Sequence, residues 1–407
     1  MRNKAPNLRH LRAFSVVAKK SSISSASKEI FLSQPAITQA IAKLENELGL
    51  PLFDRRADGM YITEAGDLFV DRVDRMLRHM KAGANEAASQ SGKRKSKGFQ
   101  HIEQLMTGVQ VRALIALSEA GSFSLAAKSV GVSQPSLHRA ARDLEHLSGV
   151  TFFQKVSRGI KLTKAAELLS FHCRLALSEL EQGYDELEEW KGHDAGSITI
   201  GTMPLARTFL LPTAINALMR EKPETKIRVI DGPYNDLLHG LRYGEIDLLI
   251  GALRNPLPIE DITQESLFED PVAIVGKVDH PLSSKTQIAI GDLRRYPWVV
   301  PPKGTPTRHF FDDMIAGQGE DAPQSMIESS SLILIRGLLQ ASDRLTIISQ
   351  HQIRHEEQMG LLTKLNFDMP GTSRSIGLTI RKDWRPTNTQ AHLIDLLKEA
   401  GSDIHSS

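Results

Sequence analysis

The chain carries one phrase twice. SQPAITQAIAKLENELG, starting at Ser33, is followed by SQPSLHRAARDLEHLSG, starting at Ser133, with every matching residue displaced by the same hundred positions. Aligned over 7–69 and 107–169, the two segments need no gap, and roughly 18 of about 63 positions are identical. Arg12-Ala13 returns as Arg112-Ala113, Ser22 as Ser122, Ala26 as Ala126 and Leu44-Glu45 as Leu144-Glu145. Positions that differ keep their type: Leu11 against Val111, Val17 against Leu117, Ile23 against Phe123, Ile37 against Leu137. Such a chain must fold around two copies of one unit, and 407 residues leave room for two to three domains.

Within each copy the pattern is three short helices and a hairpin. Leu8, Leu11, Phe14 and Val17 follow helical spacing, as do Val111, Leu114 and Leu117. Ser21-Ser22 and Gly121-Ser122 break that helix, and a small-residue helix follows (SSASKEIF, LAAKSVG). Ser33 and Ser133 are N-caps with Pro35 and Pro135 in the first turn, where a missing N–H costs least. Gly49 and Gly149 suit the C-terminal stops. LFDRRADGMYIT and FFQKVSRGIKLT then read as two brief strands around Gly59 or Gly159. Helix, short turn, helix and basic wing together are built to lay one helix in a DNA major groove.

This run resembles the DNA-binding domain of LysR-type transcriptional regulators. The first copy carries the resemblance on SQPAIT, LENELG, LFDR and ITEAG, the second on GSFSLAAKSVGVSQPSL and LE. The second departs afterwards, with LSG for LG, FFQK for LF-x-R and TKAA for T-x-AG. Residues 196–405 resemble the same family's effector-binding domain. The implied fold is a multidomain α+β protein. A winged helix-turn-helix with its linker helix occupies 1–90, a basic connector 91–104 and a second such unit 105–192. A two-lobed α/β effector domain of the type 2 periplasmic-binding fold then fills 193–407, lobe 1 at about 196–274 and 356–400, lobe 2 at about 275–355.

Carried over position by position, the family's DNA contacts fall on Ser33, Gln34, Pro35, Thr38, Gln39 and Lys43, with Arg55 and Arg56 on the wing. Short hydroxyls and lysine suit phosphates, and glutamine suits adenine edges. The second copy offers Ser133, Gln134, Pro135, His138, Arg139 and Arg142, with Lys155 and Arg158 on its wing. Charge separates the two. Residues 1–100 hold 18 Lys and Arg against 10 Asp and Glu, residues 101–195 hold 10 against 12, and the chain totals +2. Attraction for a polyanion is therefore concentrated at the front, and Asp143 stands where the first copy has Lys43. The second copy is either a second reader or a packing module that kept the shape.

After each wing comes a near-heptad seam: Phe69, Val73, Met76, Met80 and Ala87, then Leu169, Cys173, Ala176, Leu180 and Leu187. Family members pair this helix between subunits; here the two could pair within one chain or across two. A homodimer or a tetramer is implied, as are promoter DNA with an inverted repeat, a small-molecule effector and contact with RNA polymerase.

From Gly196 the texture turns to alternating strands and helices, which places ligand loops at strand ends. Thr202 and Met203 open one helix, Thr305, Thr307 and Arg308 a second, Ser329 and Ser330 a third, while Gly251 and Ala252 end a strand facing the same cleft. Helix starts with hydroxyls and one arginine favour an anionic metabolite.

No Walker loop or nucleophile elbow is present, and HQIRH places His351 and His355 one turn apart without a third ligand. No catalytic role, cofactor or metal is expected. The alternative from another class is a ligand-binding scaffold whose second helical unit serves only dimerisation or protein contacts. The start of the chain lacks a long apolar run, and a single cysteine, Cys173, excludes an intrachain disulfide, so the cytoplasm is the expected compartment.

Overall fold

The computed structural model describes residues 7–91, 101–193, 196–316, 323 and 325–405, apart from 31, 58 and 158. It divides into two units at Gly196/Ser197.

In the first unit the two copies have the same order of elements. α1 (Leu8–Lys20), α2 (Ile23–Ile30), α3 (Gln34–Leu48), β1 (Phe53–Arg56), β2 (Gly59–Ile62) and the long α4 (Glu64–Gln90) make the first. A short α5 (Ile102–Leu105) leads into α6 (Gly108–Ala120), α7 (Phe123–Val130), α8 (Gln134–Ser148), β3 (Phe153–Val156), β4 (Gly159–Leu162) and α9 (Lys164–Trp190). Ser33 and Ser133 accept the backbone N–H of Ala36 and Ser136, and Gly49 and Gly149 close α3 and α8 in the left-handed conformation. Each wing hangs on the end of its first helix: Met60 N–H donates to Ser21 O at 3.1 Å, and Ile160 N–H to Gly121 O at 2.9 Å.

The two long helices pair with each other. Phe69 stacks on Tyr184 with centroids 5.6 Å apart. The seam residues Phe69, Val73, Met76, Met80 and Ala87 are buried together with Leu169, Cys173, Ala176, Leu180 and Leu187 in one core, which also takes in the first reader. Residues 92–100 of the expected basic connector lie outside the described residues; its far end is not a free linker. Ile102 and Met106 are buried in that same core. The Arg12 guanidinium donates to the carbonyls of Glu103 and Gln104. The sequence reading missed this docking because four residues carry too little periodicity to announce a helix.

Burial pushes the Cys173 thiol up to about 12 from its ordinary 9.0. Only about one molecule in ten thousand then carries the thiolate at pH 8. Native protein is expected to resist iodoacetamide, with labelling appearing only as denaturant opens the unit; rapid labelling without denaturant would contradict the burial.

The second unit alternates strands and helices. β5 (Ser197–Thr202), a 3-10 turn (Pro204–Arg207), α10 (Leu210–Glu221), β6 (Lys226–Asp231), α11 (Tyr234–Arg242), β7 (Leu248–Ala252) and β8 (Ile262–Asp270) open it. β9 (Val272–Lys277), α12 (Ile290–Leu293), β10 (Trp298–Val300), α13 (Pro306–Ala316), β11 (Met326–Glu328), α14 (Leu332–Gln340) and β12 (Leu345–Ser349) follow. A second 3-10 turn (Gln350–Ile353), α15 (Arg354–Gln358), β13 (Leu362–Lys364), β14 (Arg374–Arg381) and α16 (Asn388–His405) complete it. The strands form two sheets, β6-β5-β7-β14-β8 and β11-β10-β12-β9-β13. The chain crosses between β8 and β9 and returns between β13 and β14. The return comes later than the expected 356, because β13 still pairs with β9, Leu362 opposite Lys277. His351 and His355 fall on either side of the break between the 3-10 turn and α15, not on one helix.

Candidate DNA interface and effector cleft

On the first reader, Ser33, Gln34, Pro35, Gln39 and Lys43 are exposed along the start and outer face of α3. Thr38 is half-buried, and its hydroxyl donates to Gln34 O at 3.0 Å. Arg55 and Arg56 are exposed on β1. Ser22, Ile23, Thr38, Arg55, Arg56 and Gly59 line one groove, so wing and helix present a continuous face. Neither arginine is idle: Arg55 lies 3.5 Å from Glu45, and Arg56 covers the Tyr61 ring at 4.7 Å. Both contacts hold the cations on the wing without removing them from solvent.

The sequence reading passed over Glu45. Its carboxylate accepts the N–H groups of Leu52 and Phe53 at 2.9 and 3.2 Å, fixing the wing to the back of α3. Glu145 does the same for Phe152 and Phe153 at 2.7 and 3.0 Å. The return of Leu-Glu after a hundred residues was the available signal; a solvent-facing glutamate would have no reason to be kept in both copies.

The second reader keeps this frame and changes the face. Gln134, Pro135, Arg139 and Arg142 are exposed on α8 beside Asp143, and Lys155 is exposed on β3. Ser133 is exposed as well, with its hydroxyl 2.8 Å from that of Ser136. Arg158 lies outside the described residues. His138 is half-buried, and its ring stacks on Phe123 with centroids 3.6 Å apart and planes 10° from parallel, which takes up one face of the imidazole. Leu125, Val132 and Val156 are exposed apolar side chains on this reader. Two replace polar residues of the first copy, Ser25 and Arg56.

In the second unit the candidate effector residues fall into two groups. Thr202, Met203, Gly251 and Ala252 meet at the ends of β5 and β7, where Met203 N–H donates to Ile250 O at 3.0 Å. A Cβ at Gly251 would stand 2.6 Å from Met203 Sδ, so only glycine lets that side chain lie across β7. Thr202 is fully buried and its hydroxyl donates to Met203 O at 3.2 Å. The other group gathers at the start of α13 and α14. Ser329 N–H donates to Val300 O at 3.0 Å, and Thr305 Oγ1 accepts Arg308 N–H at 3.3 Å, capping α13. Ser330 is exposed, and no described residue takes its hydroxyl.

Arg308 does not offer the free cation that the sequence suggested. It is buried, and its guanidinium donates to Asp312 at 2.7 Å, to Glu328 at 3.2 Å and to Pro301 O at 3.1 Å. Two carboxylates neutralise its charge, and its work is to tie α13 to β11. Thr307 is likewise engaged, by Arg374. Arg374 also donates to Asp270 through Nε at 3.3 Å and Nη2 at 2.9 Å, and Asp270 accepts the Ser349 hydroxyl as well. This cluster sits at both crossovers between the sheets. Nearby, Arg354 covers the Phe209 ring at 4.8 Å, and Phe268 meets His351 edge-on at 5.3 Å. Burial holds the His351 imidazole below its usual range against the opposing pull of Asp270.

Among the described residues no group of three or more His, Cys, Asp or Glu side chains could hold a metal ion. Nor is any described helix long and apolar enough to cross a membrane.

The family profile described as bacterial regulatory helix-turn-helix protein, lysR family, matches twice, at residues 8–67 and 109–167. The LysR substrate binding domain matches residues 191–402. The chain is 32% identical over 376 residues to the HTH-type transcriptional regulator GalR of Pseudomonas putida, with 92% of each chain covered. It is 25% identical to PcaQ of Agrobacterium fabrum, but there 97% of the relative covers only 74% of this chain. Solved structures behave like PcaQ. Full-length OxyR from Pseudomonas aeruginosa matches with a TM-score of 0.53 at 23% identity, over 72% of this chain and 93% of its own. Full-length CbnR complexed with its target DNA matches at 0.50 and 17%, over 72% and 98%. Roughly a quarter of the chain thus exceeds the plan of these relatives, which is the length one helix-turn-helix unit with its linker would fill. The chain belongs to the LysR family of transcriptional regulators, non-enzymatic proteins that bind DNA and carry an effector-binding domain, and it matches the family's helix-turn-helix twice.

Proposed function

We propose that this regulator reads promoter DNA with both helix-turn-helix units of one chain, under control of a small anionic metabolite held between the lobes of the second unit. The observation that carries the DNA reading is the pairing of α4 with α9, which mounts both readers on one core. The site that fits is an inverted repeat with two related but unequal halves. On the first half, Ser33, Thr38, Lys43, Arg55 and Arg56 hold phosphates while Gln34 and Gln39 read bases beside Pro35. On the second, Ser133, Lys155 and Arg158 hold phosphates, and Gln134, Arg139 and Arg142 read bases beside Pro135, with the His138 edge between them. A homodimer then brings four readers to DNA without needing a tetramer, and a promoter-bound dimer stands where RNA polymerase can touch it.

In the cleft, Thr202, Met203, Gly251 and Ala252 face Thr305, Thr307, Ser329 and Ser330 across the ligand, and Arg308 holds α13 in place for them. Helix starts with unpaired N–H groups favour a carboxylate. LysG of Corynebacterium glutamicum, solved with bound effector Arg, shares this fold with a TM-score of 0.53 at 14% identity. A ligand that fits one lobe angle better than another shifts reader geometry by that difference in affinity.

The scaffold reading of the second copy has its own support in the exposed Leu125, Val132 and Val156. Duplex selection by the full chain separates the two. Gln34→Ala/Thr38→Ala and Gln134→Ala/Arg139→Ala are each expected to lose one half of a composite site, at about 1–3 kcal/mol per base contact. Retention of the whole site by the second variant would leave the second copy as a scaffold. For the effector, a panel of small carboxylates is expected to raise the midpoint of the second unit while the matching amides do not; equal effects would remove the anion from the proposal.

A further inference from the structure

The seam between α4 and α9 is not symmetric in its polar groups, although the two helices are copies of each other. Arg72 is completely buried on α4. It donates to Glu186 through Nε at 3.0 Å and Nη2 at 2.6 Å, and through Nη1 to Glu179 at 2.9 Å and Gln182 at 2.8 Å. Arg75 adds a second cation on Glu179 at 2.8 Å. The position a hundred residues on from Arg72 is His172, whose Nε2 lies 3.1 Å from Glu86, with the His79 ring 6.2 Å away. Each of these side chains crosses a glycine of the opposite helix. A Cβ on Gly183 would meet Arg72 at 2.9 Å, and one on Gly83 would meet His172 at 2.6 Å. The packing is thus two-fold, while the charges of the Arg72 network are divided: guanidinium groups on α4, carboxylates on α9.

We propose that this division is a pairing code, by which α4 accepts only the linker helix of its own chain's second copy and rejects a second α4. In a like pair of α4 helices, Arg72 would face His79, Ala82 and Glu86 in place of Glu179, Gln182 and Glu186, keeping one carboxylate and losing the other acceptors. Arg75 would face His79. In a like pair of α9 helices, two buried carboxylates from each helix would share no guanidinium at all. A buried charge stripped of its partner is far costlier than a pair that is complete.

A second inverted pair carries the same logic to the readers. Lys19 on α1 meets Asp74 on α4 at 2.8 Å; the equivalent positions hold Glu119 on α6 and Arg174 on α9, also at 2.8 Å. The signs are exchanged, so each reader suits only its own linker. Own-chain pairing is favoured by the docking of α5, since Ile102, Met106 and the Arg12 contacts fix the start of the second copy onto the first. The family's usual route to a dimer through like linker helices is closed here, and dimerisation must use other surfaces.

Charge exchange in the full chain tests this. Arg72→Glu alone and Glu186→Arg alone are each expected to lower the midpoint of the first unit by about 10 °C or more. Both substitutions in one chain are expected to recover at least half of that loss. A refolded equimolar mixture of the two single variants is expected to recover none. No recovery in the double variant would overturn the code, and recovery in the mixture would overturn pairing within one chain by showing exchange between two.

Discussion

Arg72→Ala is expected to destabilise the first unit by about 3–5 kcal/mol, an effect large enough to dominate its unfolding. The residue is fully buried and satisfies two carboxylates and an amide on α9. Burial works against the Arg72 guanidinium, but Glu186 and Glu179 outweigh it and hold its pKa above the ordinary value. Burial likewise opposes the Glu179 carboxylate, and Arg75 and Arg72 outweigh it, so its pKa lies below the ordinary 4.5. The sign of the pH effect follows. A depressed carboxylate contributes stability that is complete above the ordinary value and disappears as pH falls through the folded one. The difference between wild type and Arg72→Ala should therefore be largest near neutrality and shrink below pH 4.5. Chemical denaturation across that window measures it, and a difference independent of pH would mean that lost packing, not lost charge, sets the cost.

Asp270→Ala is expected to cost the second unit about 3 kcal/mol. Asp270 is fully buried at the crossover, where it accepts from Ser349 and from two nitrogens of Arg374. Removing it leaves the Arg374 side chain, 15% exposed, without its carboxylate. Asp270→Asn keeps an acceptor for Ser349 and is expected to cost about 1–2 kcal/mol. Because Arg374 also grips Thr307, the alanine variant should loosen α13 and weaken binding of the proposed carboxylate effector beyond the stability loss. Calorimetry of the full chain reads both predictions separately: Arg72→Ala should move one transition, Asp270→Ala the other, and their combination should be additive. A shift under about 0.5 kcal/mol for Asp270→Ala would show that water replaces the carboxylate without penalty.

How much of this was readable beforehand depended on whether a feature was local. The paired readers, their caps at Ser33 and Ser133 and the seam from Phe69 to Ala87 all follow from periodicity and from the repeat itself. The α3 face was legible for the same reason: a helix in a known frame leaves few choices about which side chains face out. What escaped were contacts between distant segments. The Arg72 network joins residues more than a hundred positions apart, and nothing in DRVDRMLRHM distinguishes the buried Arg72 from the half-buried Arg75 or the exposed Arg78. The engagement of Arg308 on α13 escaped for a related reason, since its partner Glu328 arrives from β11. The stacking of His138 on Phe123 escaped in the same way, because an aromatic on the preceding helix gives no local sign of the contact.

Two readers joined through distinguishable sides have a direction. A symmetric dimer lies on its operator equally well either way round, and mutation of its recognition helix changes both half-sites at once. Here the order of the readers is written into a single polypeptide through the Lys19/Asp74 and Glu119/Arg174 inversion and the one-sided Arg72 cluster. On the proposed reading, the two readers of one chain therefore meet DNA in a fixed order, and only the axis of a homodimer restores the symmetry. On that reading the DNA segments under the two readers of one chain can drift independently of each other, which a relative with one reader per chain cannot allow.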